Sequence, residues 1–210
     1  MSRLFALLIV IEGLSGCHTM QQPALQDHSS KTSQIQELLT GKGGPRIVTA
    51  NLGGGRVDAL PDIYNQSTSI PGFIDVSGIR IMEGSKRTVG VVLGLSDSTS
   101  PEEKKSRKIS TLEMDADEAL EFKKAVQQEI DYALVCMKSP PKHQGDMIWR
   151  SAEGLGIAVS SDTGNAAFFT LSLSPNDANP GYISLSLSLD SGRQLMAKVD
   201  DALNVANGND

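Results

Sequence analysis

Between Lys108 and Met137 the apolar residues change their spacing, and that change limits what the rest of the chain can build. Leu112 and Met114 alternate with Thr111 and Glu113, the period of a half-buried strand. Ala119, Phe122, Val126, Ile130, Ala133, Leu134 and Met137 then recur at helical spacing and form one apolar face. The acids Asp115, Asp117 and Glu118 lie between the two patterns. Asp115 at the N-cap with Glu118 three residues on has capping-box spacing, and acids suit the positive end of a helix dipole. An echo lies about 75 residues on: Leu187 and Leu189 stand where Leu112 and Met114 do, Asp190 where Asp115 does, and Leu195 where Leu120 does. A helix follows there too, with Leu195, Val199, Ala202, Leu203 and Ala206 on one face.

Strand patterns precede both junctions. In the first half they are Phe73 to Val76 with Ile79 to Ile81, Val89 to Leu95, and Lys108 to Met114; Gly84-Ser85-Lys86-Arg87 supplies a hairpin turn. In the second half they are Met147 to Trp149, Leu155 to Val159, Phe168 to Leu173, and a run in which Ile183, Leu185, Leu187 and Leu189 alternate with serines. Pro140 and Pro141 separate the halves, because paired prolines cannot continue an α-helix.

Sheets with one apolar face and a helix to cover it make an α+β protein. The expected architecture is two tandem antiparallel β-β-β-α units, each sheet covered on one face by a helix. Along the chain this gives a signal peptide at residues 1–16, a lipidated tether at 17–32, a short helix and Gly-rich lead-in at 33–68, the first unit at 69–138, a Pro-rich linker at 139–145 and the second unit at 146–207. Ser33 is the expected cap of the short helix, with Ile35, Leu38 and Leu39 on one side and Gly41 ending it. The glycines of Gly41 to Gly55 lack the strand, following helix and Lys-Ser or Lys-Thr pair of a phosphate loop, so they read as two flexible turns around a short strand, Arg46 to Thr49.

The N-terminus carries a different kind of signal. Arg3 precedes an apolar run, Leu4 to Ile11, far shorter than the about 20 residues that span a bilayer. It has the size of a signal-peptide core. Leu14-Ser15-Gly16-Cys17 resembles the lipobox of bacterial lipoproteins, which implies signal-peptide recognition at Leu14, Ser15 and Gly16 and lipidation at Cys17. Glu12 near the end of the apolar run and a single Arg before it depart from the usual pattern. The resemblance covers the leader alone. It implies a protein held in the bacterial cell envelope by palmitate-type acyl chains, at the outer membrane if the cell is Gram-negative, with about 0.8 kcal/mol of membrane affinity per buried CH₂. Residues His18 to Lys31 are polar and aperiodic, as a flexible tether would be.

Composition excludes more than it identifies. A net charge of −6 disfavours a polyanion partner. The aromatic fraction is 4%, so the core must rest on Leu, Ile, Val, Ala and Met. With Cys17 in the lipobox, Cys136 stands alone among apolar neighbours and reads as a small buried hydrophobe. The acids Glu113, Asp115, Asp117 and Glu118 lack the glycine and distal glutamate of a calcium loop, and Asn176, Asp177 and Asn179 are ordinary turn residues. His18, His28 and His143 match no zinc spacing and have no serine in a Gly-x-Ser-x-Gly elbow to serve. Ser139 and Lys142 have Ser-x-x-Lys spacing, similar to the first motif of penicillin-interacting serine enzymes, but no companion motif occurs. The expectation is a non-enzymatic binding or structural module with no catalytic residue, metal, cofactor or small-molecule substrate.

One candidate contact surface remains. Lys86, Arg87, Lys104, Lys105, Arg107 and Lys108 cluster near two turns and would meet anionic lipid, an envelope polymer or an envelope protein. Tandem units of strands followed by a helix also resemble, in topology only, the Pur-alpha and Whirly single-stranded nucleic-acid binders. That resemblance implies stacking aromatics on the sheets, where the first unit offers only Phe73.

Overall fold

The computed structural model describes residues 25–27, 33–41, 43–59, 72–97, 109–136, 147–151, 155–161, 167–173 and 184–209. Its elements in order are β1 (Gln26–Asp27), α1 (Gln34–Thr40), β2 (Arg46–Ala59), β3 (Gly72–Glu83), β4 (Lys86–Asp97), β5 (Ile109–Asp115), α2 (Ala116–Cys136), β6 (Met147–Arg150), β7 (Leu155–Ser161), β8 (Ala167–Leu173), β9 (Ser184–Leu187) and α3 (Leu189–Ala206). The architecture is α+β. One sheet has the order β2-β3-β4-β5 and is antiparallel throughout; the second has the order β1-β6-β7-β8-β9.

Four expectations change. The first sheet has a strand more than the three expected, because Arg46–Ala59 is one strand and not two turns around a short one. Its glycines sit inside it: the register with β3 slips between Thr49 and Leu52 and again between Leu52 and Gly55. Such bulges bend a strand and increase its twist. Here the bend brings β2 against α3. Gly54 takes φ 78 and donates its N–H to the Asp201 carboxylate at 2.6 Å. A Cβ at Gly54 would lie 2.2 Å from the Val76 carbonyl oxygen, so glycine is required.

Pairing is not purely antiparallel either. Gln26 and Asp27, inside the segment expected to be a structureless tether, pair in parallel with Trp149 and Arg150 at the edge of the second sheet.

Most consequentially, the long helices are exchanged. α3 packs on β2, β3 and β4 of the first sheet, while α2 packs on β6, β7 and β8 of the second. Each sheet is therefore covered mainly by the helix that follows the other sheet in sequence. The two helices make different kinds of contact. Gly192, Ala202 and Ala206 give α3 a thin buried face, which lets it approach β3 until a Cβ on Gly78 would come within 2.4 Å of the Ala202 carbonyl oxygen. α2 carries Phe122, whose ring meets the edge of Trp149 on β6 with centroids 5.4 Å apart.

The result is one buried cluster drawing on both sheets and both helices. It joins Ile74, Val76, Val91, Leu93, Leu112 and Met114 to Phe122, Val126, Trp149, Leu171, Leu187, Leu195 and Val199. A smaller cluster on the other face of the first sheet holds Ile35 of α1 against Ile79 and Ile81.

The echo is also re-registered. α3 begins at Leu189, and its N-cap is Ser188, whose Oγ accepts the Ser191 N–H at 3.0 Å, where Asp190 was expected to cap. The strand accordingly stops at Leu187 and does not run on to Leu189. Aligning the two helix starts pairs Leu112 with Leu185, Met114 with Leu187, Phe122 with Leu195, Val126 with Val199, Ile130 with Leu203 and Ala133 with Ala206, every one of them buried. The offset is two residues shorter than the sequence pattern suggests. Leu120, the expected partner of Leu195, is 46% exposed.

Candidate functional site

The most constructed local feature is the seat of α1, where the N-terminal segment joins the folded core. Ser33 caps α1 as expected, with its Oγ accepting the Gln36 N–H. The larger contribution comes from 82 residues away in sequence. The Asp115 carboxylate accepts the Gln34 N–H at 2.8 Å, the Ile35 N–H at 2.9 Å and the Ser33 hydroxyl at 3.2 Å. Asp115 directly precedes α2, the N-cap position, yet these bonds serve the start of a different helix. The first N–H groups of a helix lack intrahelical partners, and a carboxylate satisfies them with both hydrogen bonds and charge.

The other end of α1 is fastened as well. Arg46 of β2 donates to the carbonyl oxygens of Leu38 and Gly41, which a helix end leaves unsatisfied, and pairs with Glu83 at 3.2 Å. In the first turn Ile35 is fully buried, directly over Gly90, where a Cβ would lie 3.1 Å from its side chain. A helix of seven residues is too short to persist alone, so these three contacts hold it.

Of the expected contact surface, the structure describes two residues. Lys86 and Arg87 open β4 and are exposed. Arg87 donates to the Asn207 carbonyl at 2.7 Å, and its neighbour in space Arg80 donates to the carbonyls of Val205 and Ala206 at 2.7 and 2.6 Å. These guanidinium groups meet the negative end of the α3 dipole, so Arg87 closes a helix as well as facing solvent. Lys104, Lys105, Arg107 and Lys108 lie outside the described residues, as do Leu14, Ser15, Gly16 and Cys17, the three histidines, Ser139, Lys142, Asn176, Asp177 and Asn179. The aromatic expected on the first sheet, Phe73, is 7% exposed and lies beneath Arg56, whose guanidinium carbon is 3.8 Å from the ring centroid. Arg56 in turn pairs with Asp75 at 3.1 Å.

The acids near the start of α2 do not converge. Asp117 and Glu118 occupy its first turn, where the helix dipole favours them, and Asp115 is spent on α1. Among the described residues no group of three or more His, Cys, Asp or Glu could hold a metal ion, and no helix is long and apolar enough to cross a membrane. On the outside, α2 and α3 leave an open groove lined by Leu120, Lys123, Lys124, Gln127, Met196 and Asp200, with Lys123 ion-paired to Asp200 across it.

One residue was passed over in the sequence. Glu129 is 1% exposed, and neither carboxylate oxygen has a hydrogen-bond partner. Burial pushes its pKa from 4.5 up to about 8. The signal was present: Glu129 lies one turn beyond Ala125 and two beyond Phe122, inside the apolar stripe. No protein-family model and no curated protein matches the chain.

Proposed function

We propose that the chain is a lipid-anchored, non-enzymatic binding module of the bacterial cell envelope, built from a duplicated unit of strands followed by a helix. The observation that supports it best is the seat of α1. The polar segment that leads from Cys17 toward the core hands over to a helix held at its start by Asp115 and by the buried Ile35 side chain, and at its end by Arg46. A tether that carries a domain on a membrane needs such a fixed point, because tension on a loosely attached segment would only unravel it. The matched buried positions of α2 and α3 support the duplication.

The partner is an envelope protein or polymer. The single-stranded nucleic-acid reading gains less support, since Phe73 is covered by Arg56 and Arg87 is engaged at the end of α3. The anchor is tested with Cys17→Ser and with globomycin. Cys17→Ser should abolish lipid labelling, while globomycin, which blocks removal of the leader after the cysteine is acylated, should make a larger lipid-labelled precursor accumulate; unchanged labelling in the variant, or no precursor with globomycin, would remove the anchor from the proposal.

A further inference from the structure

The buried, unpartnered carboxyl of Glu129 stands two turns after Phe122, on the face of α2 whose Phe122 ring meets Trp149 of the second sheet. Aligned on the helix starts, the residue of α3 in the same place is Ala202, which is fully buried and lets its helix close on Gly78. The position thus accepts a small apolar side chain in one helix and holds an ionisable one in the other. A buried carboxylate without a hydrogen bond is among the costliest groups a core can contain once it is charged.

No hydrogen bond reaches either oxygen to stabilise that charge. On α2 itself, Ala125 and Val126 stand one turn before Glu129, and Tyr132 and Ala133 one turn after it. β7 and β8 contain no acidic or basic residue, and β6 contributes only Arg150. β5 brings Glu113 and Asp115, the latter bonded to α1; β4 brings Lys86, Arg87 and Asp97, with Arg87 bonded to Asn207. On α3, Asp190 pairs with Arg193, Asp200 with Lys123, Asp201 accepts from Gly54, and Lys198 lies against Gly55. None of these groups donates to the Glu129 oxygens.

We propose that the contact between α2 and the second sheet is a proton-operated latch, closed while Glu129 carries its proton and loosened when it ionises. The direction follows from linkage. A carboxyl whose pKa is higher in the folded state than in the unfolded one favours the closed form fully below about 4.5 and loses that contribution as pH rises toward about 8. Across that window the equilibrium for opening grows by up to about tenfold per pH unit from this group alone. Carboxylates stabilised in their charged form act in the opposite sense, so the two kinds of dependence are separable.

Trp149 is the sole tryptophan, is fully buried and packs edge-on against Phe122 inside the same contact, so it reports on the latch directly. The experiment follows Trp149 emission from pH 5 to 9 in the full chain, together with hydrogen exchange corrected for intrinsic rates. The wild type should red-shift and lose protection in α2 and β6 to β8 as pH rises, while α3 and β2 to β4 keep theirs. Glu129→Gln, which cannot ionise, should remove the change. Should the buried amide prevent folding, Glu129→Ala installs the side chain that α3 carries at Ala202 and serves the same purpose. An identical pH response in the wild type and the neutral variant, no response in either, or a loss of protection spread evenly over both sheets would overturn the latch.

Discussion

Asp115 and Ile35 are joined by a 2.9 Å hydrogen bond across 80 residues of sequence, from the Ile35 backbone N–H to the carboxylate that ends β5. This bond, with its companion from Gln34, fixes α1 to the first sheet. Asp115→Ala leaves those N–H groups without the carboxylate and is expected to cost about 1–2 kcal/mol, the range for a lost helix cap. Limited proteolysis distinguishes local from global damage: cleavage should move into residues 33–41 while the sheets remain resistant. Asp115→Asn should retain part of the effect, since an amide oxygen still accepts one bond.

The exchange of helices makes a directional prediction. Phe122→Ala removes a fully buried ring, and the expected loss is about 3–5 kcal/mol. Its first consequence should appear in the second sheet, around Trp149, although residue 122 belongs to the first half of the chain. Residue-resolved hydrogen exchange would show β6 to β8 losing protection ahead of β2 to β4; the reverse order would contradict the packing.

Gly78→Ala tests how closely α3 lies on β3. The added methyl would be 2.4 Å from the Ala202 oxygen and 2.8 Å from the Leu52 oxygen, both of them backbone atoms. Because neither can swing aside like a flexible side chain, a destabilisation of at least about 1–3 kcal/mol is expected from overpacking. Gly44→Ala, where nothing lies within 4 Å, is the matched control and should be close to neutral in thermal denaturation.

Arg80 supplies two hydrogen bonds to the last turn of α3. Removing them in Arg80→Ala should cost about 1–3 kcal/mol and fray residues near Ala206. Arg80→Lys should recover only part of this, because an ammonium cannot reproduce the planar fork that reaches two carbonyls at once. Chemical denaturation of the three proteins, with the slope m checked for constancy, gives the comparison.

What could be read in the sequence was local. The glycine turn at Gly84 and most of the stripe, Ala119, Phe122, Val126, Ile130 and Ala133, are periodic signals that the structure reproduces; Leu134, expected on the same face, is exposed at its border, and Met137 lies outside the described residues. β2 was not legible, because glycines argue against a strand unless a partner helix needs close approach, and that partner, α3, lies some 140 residues further on. The role of Asp115 was missed for the same reason: its position predicts a cap for the helix it precedes, whereas its oxygens serve one that came earlier. Ser188 and Asp190 are both good cap residues two positions apart, so pattern alone chose the wrong one and carried the offset between the halves with it. Helix exchange depends on which surfaces fit, and no periodicity records that.

The exchange has a consequence for the order in which the protein can mature during synthesis. α2 emerges from the ribosome before β6 to β9, four of the five strands of the sheet it packs on, and the first sheet is complete long before α3, its own cover, exists. At about 5–20 residues per second, apolar faces of both kinds stay open for seconds. The last helix to be made is the one that seals the first sheet.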